Sequence, residues 1–157
     1  MTDIRTELAR IAAQLSDAHV STEARVDIVK RRFRGERMRV VGEVWRLGAV
    51  CLDASGALFA TGEVLAVKKP THPNHRSAMA LRRNELFLLA QKSGITAGAT
   101  IVVDAHPLDL GEPTAPLVGE GDQLSVQWMR GAEPTPLLAY VRERAELLMH
   151  PLPGATD

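Results

Sequence analysis

Residues 38–67 read MRVVGEVWRLGAVCL, then DASG, then ALFATGEVLAV. Both flanks are rich in Val, Leu and aromatic side chains, which suit a pleated, half-buried surface. Between them Asp53-Ala54-Ser55-Gly56 combines short polar side chains with a glycine, the chemistry of a tight reversal. The stretch therefore predicts a β-hairpin with strands over 38–52 and 57–67. Pairing across that turn would set Arg46 opposite Glu63, an opposite-charge pair that helps fix register. Gly42, Gly48 and Gly62 interrupt the strands and predict bulges or sharp bends, hence a strongly curved sheet.

Working toward the N-terminus, Ile4, Leu8, Ile11 and Leu15 recur at helical spacing, with Thr2 or Asp3 as N-cap. The apolar stripe is narrow, so this helix is expected to dock loosely or against a partner. Ser21 is read as the cap of a second helix, with Val26, Val29 and Phe33 on one side and an end near Gly35. Lys30, Arg31, Arg32 and Arg34 would then sit in its last turn, where cations suit the negative helix end.

Toward the C-terminus, Pro70-Thr71-His72-Pro73-Asn74 reads as a loop, since two prolines defeat regular pairing. A helix is expected over 77–93, capped by Ser77 and ended by Gly94, with its second half buried because Leu86-Phe87-Leu88-Leu89-Ala90 is apolar all round. Residues 100–105 read as a short buried strand, 107–122 as a Pro/Gly-rich connection and 123–128 as an alternating strand. Thr135 as cap and Pro136 as first residue open a last helix to Met149, with Leu138, Val141, Ala145 and Leu148 as its core stripe. The expected fold is a single α+β domain over 1–150, followed by a tail at 151–157. It has a helical N-terminal part (1–35) and a hairpin-centred core (38–150). Its curved, mainly antiparallel sheet carries two N-terminal helices and two further helices packed on it.

Composition narrows the class. The chain has 157 residues, 45% of them hydrophobic and 24% charged, enough for one sizeable core. A single cysteine, Cys51, excludes an internal disulfide and favours a reducing compartment. Met1-Thr2-Asp3 opens straight into an amphipathic pattern, unlike a signal peptide, and no apolar run approaches the roughly 20 residues of a membrane span. Arg outnumbers Lys 15 to 4, a bias typical of GC-rich bacterial genomes. These features predict a bacterial, cytoplasmic protein with no membrane partner. Net charge is zero, yet residues 1–100 hold 16 Lys+Arg against 10 Asp+Glu and residues 101–157 hold 3 against 9. That split suits an acidic partner, an anionic ligand, or charge pairing within or between subunits.

Four sites are candidates. Lys68, Lys69, His72, His75 and Arg76 surround a loop that feeds a helix N-terminus, where free N–H groups favour a small anionic ligand; a plain solvated loop is the blander account. His72 and His75 could hold a metal with Asp104 or His106, but no Cys cluster or H-E-x-x-H accompanies them, so neither metal nor cofactor is expected. Arg31, Arg32, Arg34 and Arg37 lie in a stretch, 30–39, with six basic residues around Phe33, which could meet phosphates and stack one base. An overall pI near 7.0, 4% aromatics and no known DNA-binding motif argue against nucleic acid, leaving a helix end that solvates its charges. Cys51, between Val50 and Leu52, reads as a buried small hydrophobe, and no G-x-S-x-G elbow occurs.

One resemblance bears on function. Gly42-Glu43-Val44-Trp45-Arg46-Leu47-Gly48, then Leu58-Phe59-Ala60-Thr61-Gly62-Glu63-Val64, resemble a group of small proteins from GC-rich bacteria. So does the close, Tyr140-Val141-Arg142-Glu143-Arg144-Ala145-Glu146-Leu147-Leu148-Met149-His150-Pro151. The resemblance covers most of 38–151. Members often carry the label "glutaminase", which these residues do not support. Serine-dependent glutaminases use a Ser-x-x-Lys pair on a much larger β-lactamase-like domain, and no Ser-x-x-Lys occurs here. What the resemblance implies is a small domain family with no catalytic residues to carry over. The expected function is a non-catalytic ligand- or anion-binding module, or one that self-associates as a homodimer through the first helix or a sheet edge. The alternatives are an amide hydrolase-like enzyme using His72, His75, Asp104 or His106, and a weak nucleic-acid binder.

Overall fold

Helix α1 (Ile4–Asp17) forms where its periodicity places it, with the Asp3 carboxylate accepting from the Arg5 N–H as N-cap. The structure is a computed structural model and describes residues 3–70 and 77–153. After α1 come β1 (Glu23–Arg31), β2 (Gly35–Leu47), β3 (Val50–Leu52), β4 (Leu58–Ala60), β5 (Glu63–Ala66) and α2 (Ala78–Lys92). The chain continues through β6 (Thr100–Val103), β7 (His106–Pro107), β8 (Leu117–Val118), β9 (Ser125–Val126), β10 (Thr135–Pro136) and α3 (Leu137–Met149). The fold is α+β. Its main sheet is open and mixed, ordered β5-β6-β1-β2-β3-β4-β7, and a small sheet is ordered β10-β9-β8. Among the described residues no helix is long and apolar enough to cross a membrane.

The second expected helix is absent, so the described residues hold three helices and not four. Residues 23–31 are strand β1. Val26, Val29 and Phe33 happen to share helical spacing, but Ala24, Val26 and Ile28 alternate with Arg25 and Asp27, which is the period of a strand. Three β-branched residues, Val26, Ile28 and Val29, weight the choice further toward β.

The chain divides into two compact units, one of residues 1–22, 43–61 and 105–157, the other of residues 23–42 and 62–104. In the first, α1 lies against α3 and buries Leu8, Ile11 and Leu15 in a core shared with Leu47, Leu52 and Val141. Each such burial is worth about 2 kcal/mol. The stripe expected to dock loosely or meet a partner is therefore filled from within the chain. The indole of Trp45 donates to the Val20 carbonyl at 2.9 Å, and the Ala49 N–H donates to the Tyr140 hydroxyl at 3.0 Å. Gly48 has φ +71, and a Cβ there would run into that hydroxyl, so the residue makes a tight β2–β3 turn rather than a bulge.

This tighter turn shifts the expected register. The reversal at 53–56 forms, with Leu52 opposite Leu58, but β2 pairs first with β3 and sets Arg46 opposite Cys51. Glu63 lies opposite Val103 instead of Arg46. The last helix begins at Leu137, after Thr135 and Pro136 have joined the small sheet, so Thr135 is no cap. Its buried residues are Leu137, Tyr140, Val141 and Ala145, whereas Leu148 is exposed.

In the second unit α2 is capped as expected, the Ser77 hydroxyl accepting from the Ala80 N–H at 3.1 Å. Only Leu86 and Ala90 of its apolar run are buried, while Leu88 is 50% exposed. They share a core with Val26, Met38, Leu65, Ile101 and Val103 of the strands. A helix laid on one sheet face has one dry side, however apolar the rest of it is.

Candidate functional site

Charge follows the two units. The α2 unit carries 13 Lys+Arg against 6 Asp+Glu, and the α1/α3 unit 6 against 13. Within the α2 unit the cations gather on β1 and β2, joined by Arg32-Phe33-Arg34 and closed by the Arg34 N–H donating to the Arg31 carbonyl at 3.2 Å. The parallel ladder of β1 with β6 covers only Ala24, Arg25 and Val26. There the Asp104 N–H donates to the Val26 carbonyl at 2.8 Å, and the Asp104 carboxylate accepts from the Ile28 N–H at 3.0 Å. The ladder stops at that point. On β2 the last anchors are the Met38 N–H, donating to the Ser93 hydroxyl at 2.8 Å, and the Arg37 guanidinium, donating to the Lys92 carbonyl at 2.9 Å. Among the described residues, then, 29–36 form a two-stranded arm with no third strand beside it.

Lys30, Arg31, Arg32 and Arg34 are exposed on this arm, and Arg39 is exposed beyond its base. Arg37, expected among the free cations, is half-buried and ties β2 to the end of α2. At the tip Phe33 is 96% exposed and has φ +75, with the Arg32 guanidinium 5.6 Å from its ring centroid. A bulky residue in the left-handed region costs about 1–2 kcal/mol. The other two such non-glycine residues among those described have local reasons. His19 follows the end of α1, its N–H donating to the Ser16 carbonyl, and Asp104 holds Ile28. Histidine and aspartate are also tolerated there, which phenylalanine is not. Phe33 has neither excuse: the fold loses by its conformation and gains nothing by its burial.

The other expected sites fare differently. His72, His75 and Arg76 lie outside the described residues. Lys68 and Lys69 are exposed just after β5. Asp104 serves as a backbone clamp in the α2 unit, and His106, exposed on β7, stands opposite Ala60 in the α1/α3 unit. Among the described residues no group of three His, Cys, Asp or Glu could hold a metal. Cys51 is fully buried, with its sulfur 3.3 Å from the Thr61 hydroxyl, which denies it the exposure a nucleophile needs. Two hollows of the α1/α3 unit, about 380 Å³ and 450 Å³, both include Arg5. Their other charged residues are Asp109 in one and Asp3 with Asp122 in the other, and no histidine lines either.

What sequence reasoning missed was the conformation of 23–35, and the alternation of Ala24, Val26 and Ile28 was the signal that could have found it. Comparison of the chain with protein-family models, with curated proteins and with solved structures returns no match, so the functional reading rests on this arm alone.

Proposed function

We propose that the chain is a non-catalytic module that binds nucleic acid through the β1–β2 arm. The observation that carries this reading is Phe33, held exposed in a conformation the fold disfavours, at the tip of a ribbon with four further exposed cations. Strain kept at an exposed position points to function. Arginine and lysine meet phosphates through charge, and the release of counterions drives association. The expectation against nucleic acid rested on a neutral whole-chain pI, 4% aromatics, the lack of a known DNA-binding motif and a helix end that would account for the charges. The helix is gone, and the surplus in this unit is 13 cations against 6 anions. One aromatic side chain is little apolar area for holding a membrane surface, which favours a polyanion over lipid.

Fluorescence anisotropy with a labelled mixed-sequence oligonucleotide tests the reading. Affinity should fall linearly with the logarithm of salt, and replacing Arg31, Arg32 and Arg34 by Gln should reduce that slope by about one per arginine. No binding at low salt, binding indifferent to the triple variant, or a preference for anionic phospholipid vesicles would each overturn it.

The opposed charges of the units favour a second reading, self-association in which the basic unit of one copy meets the acidic unit of another. Sedimentation at rising salt checks it: oligomers should dissociate as the charges are screened, and a monomer at all salt concentrations ends the idea.

A further inference from the structure

From the geometry of the arm we infer, on the basis of the reading above, that its substrate class is single-stranded nucleic acid, with Phe33 as the platform for an unpaired base. A duplex offers a protein its grooves and its phosphates, while its base faces are stacked on one another and closed to a side chain. An unpaired base presents its π-face, and every base has one. Phe33 is 96% exposed at the middle of a turn of three residues, so its ring is open to solvent at the tip of the arm. The Arg32 guanidinium, 5.6 Å from the ring centroid, occupies one side of the ring and leaves the other for a base. Base stacking on a phenyl ring in this position requires a base that can be turned outward, and flexible single strands do this at little cost.

The surroundings fit the same ligand. Lys30 and Arg31 stand on one side of the turn and Arg34 on the other, so a strand whose base sits on Phe33 has cations on both sides of its backbone. The platform itself does not select a base, since every base has a π-face, and no Asn or Gln, the side chains that pair with adenine edges, occurs between residues 15 and 73. The arm should bind single strands with little regard for sequence.

The test compares one mixed-sequence oligonucleotide as a single strand and as a blunt duplex, by anisotropy at one fixed salt concentration. The single strand should bind at least roughly tenfold tighter. Phe33→Ala should weaken single-strand binding by roughly tenfold and leave duplex binding unchanged, and Phe33→Tyr should restore most of the loss. Circular dichroism of each variant checks that the fold is intact. Equal affinity for single strand and duplex, or an equal loss of both in Phe33→Ala, overturns the inference while leaving the arm a nucleic-acid binder. Loss of all binding only in the arginine variants, with Phe33→Ala unaffected, likewise removes the platform. Failure of both ligands to bind the wild-type chain at low salt overturns the parent reading as well.

Discussion

Two turns of this chain, 53–56 in the α1/α3 unit and 32–34 in the α2 unit, do opposite work. At the first, the Asp53 carboxylate accepts from the N–H groups of Ser55 and Ala57 and from the Ser55 hydroxyl, and the Ala57 carbonyl accepts from the Asp53 N–H. Gly56 (φ +89) lies against α1, where a Cβ would come within 2.9 Å of the Ala9 backbone. At the second, the Arg34 N–H closes the reversal on the Arg31 carbonyl, a phenylalanine takes a left-handed conformation two residues before Gly35, and the flanking side chains are solvated arginines. The first turn is saturated and packed, as a turn that holds strands together should be. The second gives up local stability to carry charge and an aromatic ring outward. A turn whose residues agree with its geometry is scaffold, and one whose residues oppose it has another task.

Four substitutions break or sharpen this contrast. Gly56→Val should destabilise the chain by about 3 kcal/mol or more, from left-handed strain and the collision with Ala9 together, read by urea denaturation. Asp53→Ala, which removes the acceptor of three hydrogen bonds, should cost about 1–2 kcal/mol in the same assay. Phe33→Gly should move the other way and stabilise by about 1 kcal/mol while binding of single strands weakens by roughly tenfold, as in Phe33→Ala. A destabilised Phe33→Gly would show that the ring supports the fold after all. Arg34→Gln should leave stability within about 0.5 kcal/mol and show only in the salt dependence of binding.

The two turns also differ in how legible they were. Asp53 through Gly56 announce a reversal by residue type, and α1, α2, the strand at 100–103 and the buried Cys51 follow equally local rules. The arm does not announce itself. Val26, Val29 and Phe33 satisfy a helical period as well as Ala24, Val26 and Ile28 satisfy a strand period. What decides between them is the backbone of β6, about 75 residues away in sequence, with which β1 forms its ladder. The pairing of Glu63 with Val103 in place of Arg46 has the same origin, since a distant strand supplies the partner. The cations of 30–39 and Phe33 among them are legible as residue types; their exposure, and the engagement of Arg37 at the base, depend on contacts that no local window contains.

Asp104 carries a consequence for how the chain survives at high concentration. By taking the Ile28 N–H with its side chain, it occupies the next rung of the ladder and leaves the rest of β1 as an open edge. Open edges invite other chains to add strands and grow into aggregates. Along 29–34 the deterrent is charge, because a second copy approaching in register would bring Lys30, Arg31, Arg32 and Arg34 against like charges. The same residues are thus gatekeepers, and a polyanion bound as proposed would neutralise them and remove the guard. Discharging the edge in that way would favour strand addition between neighbouring copies.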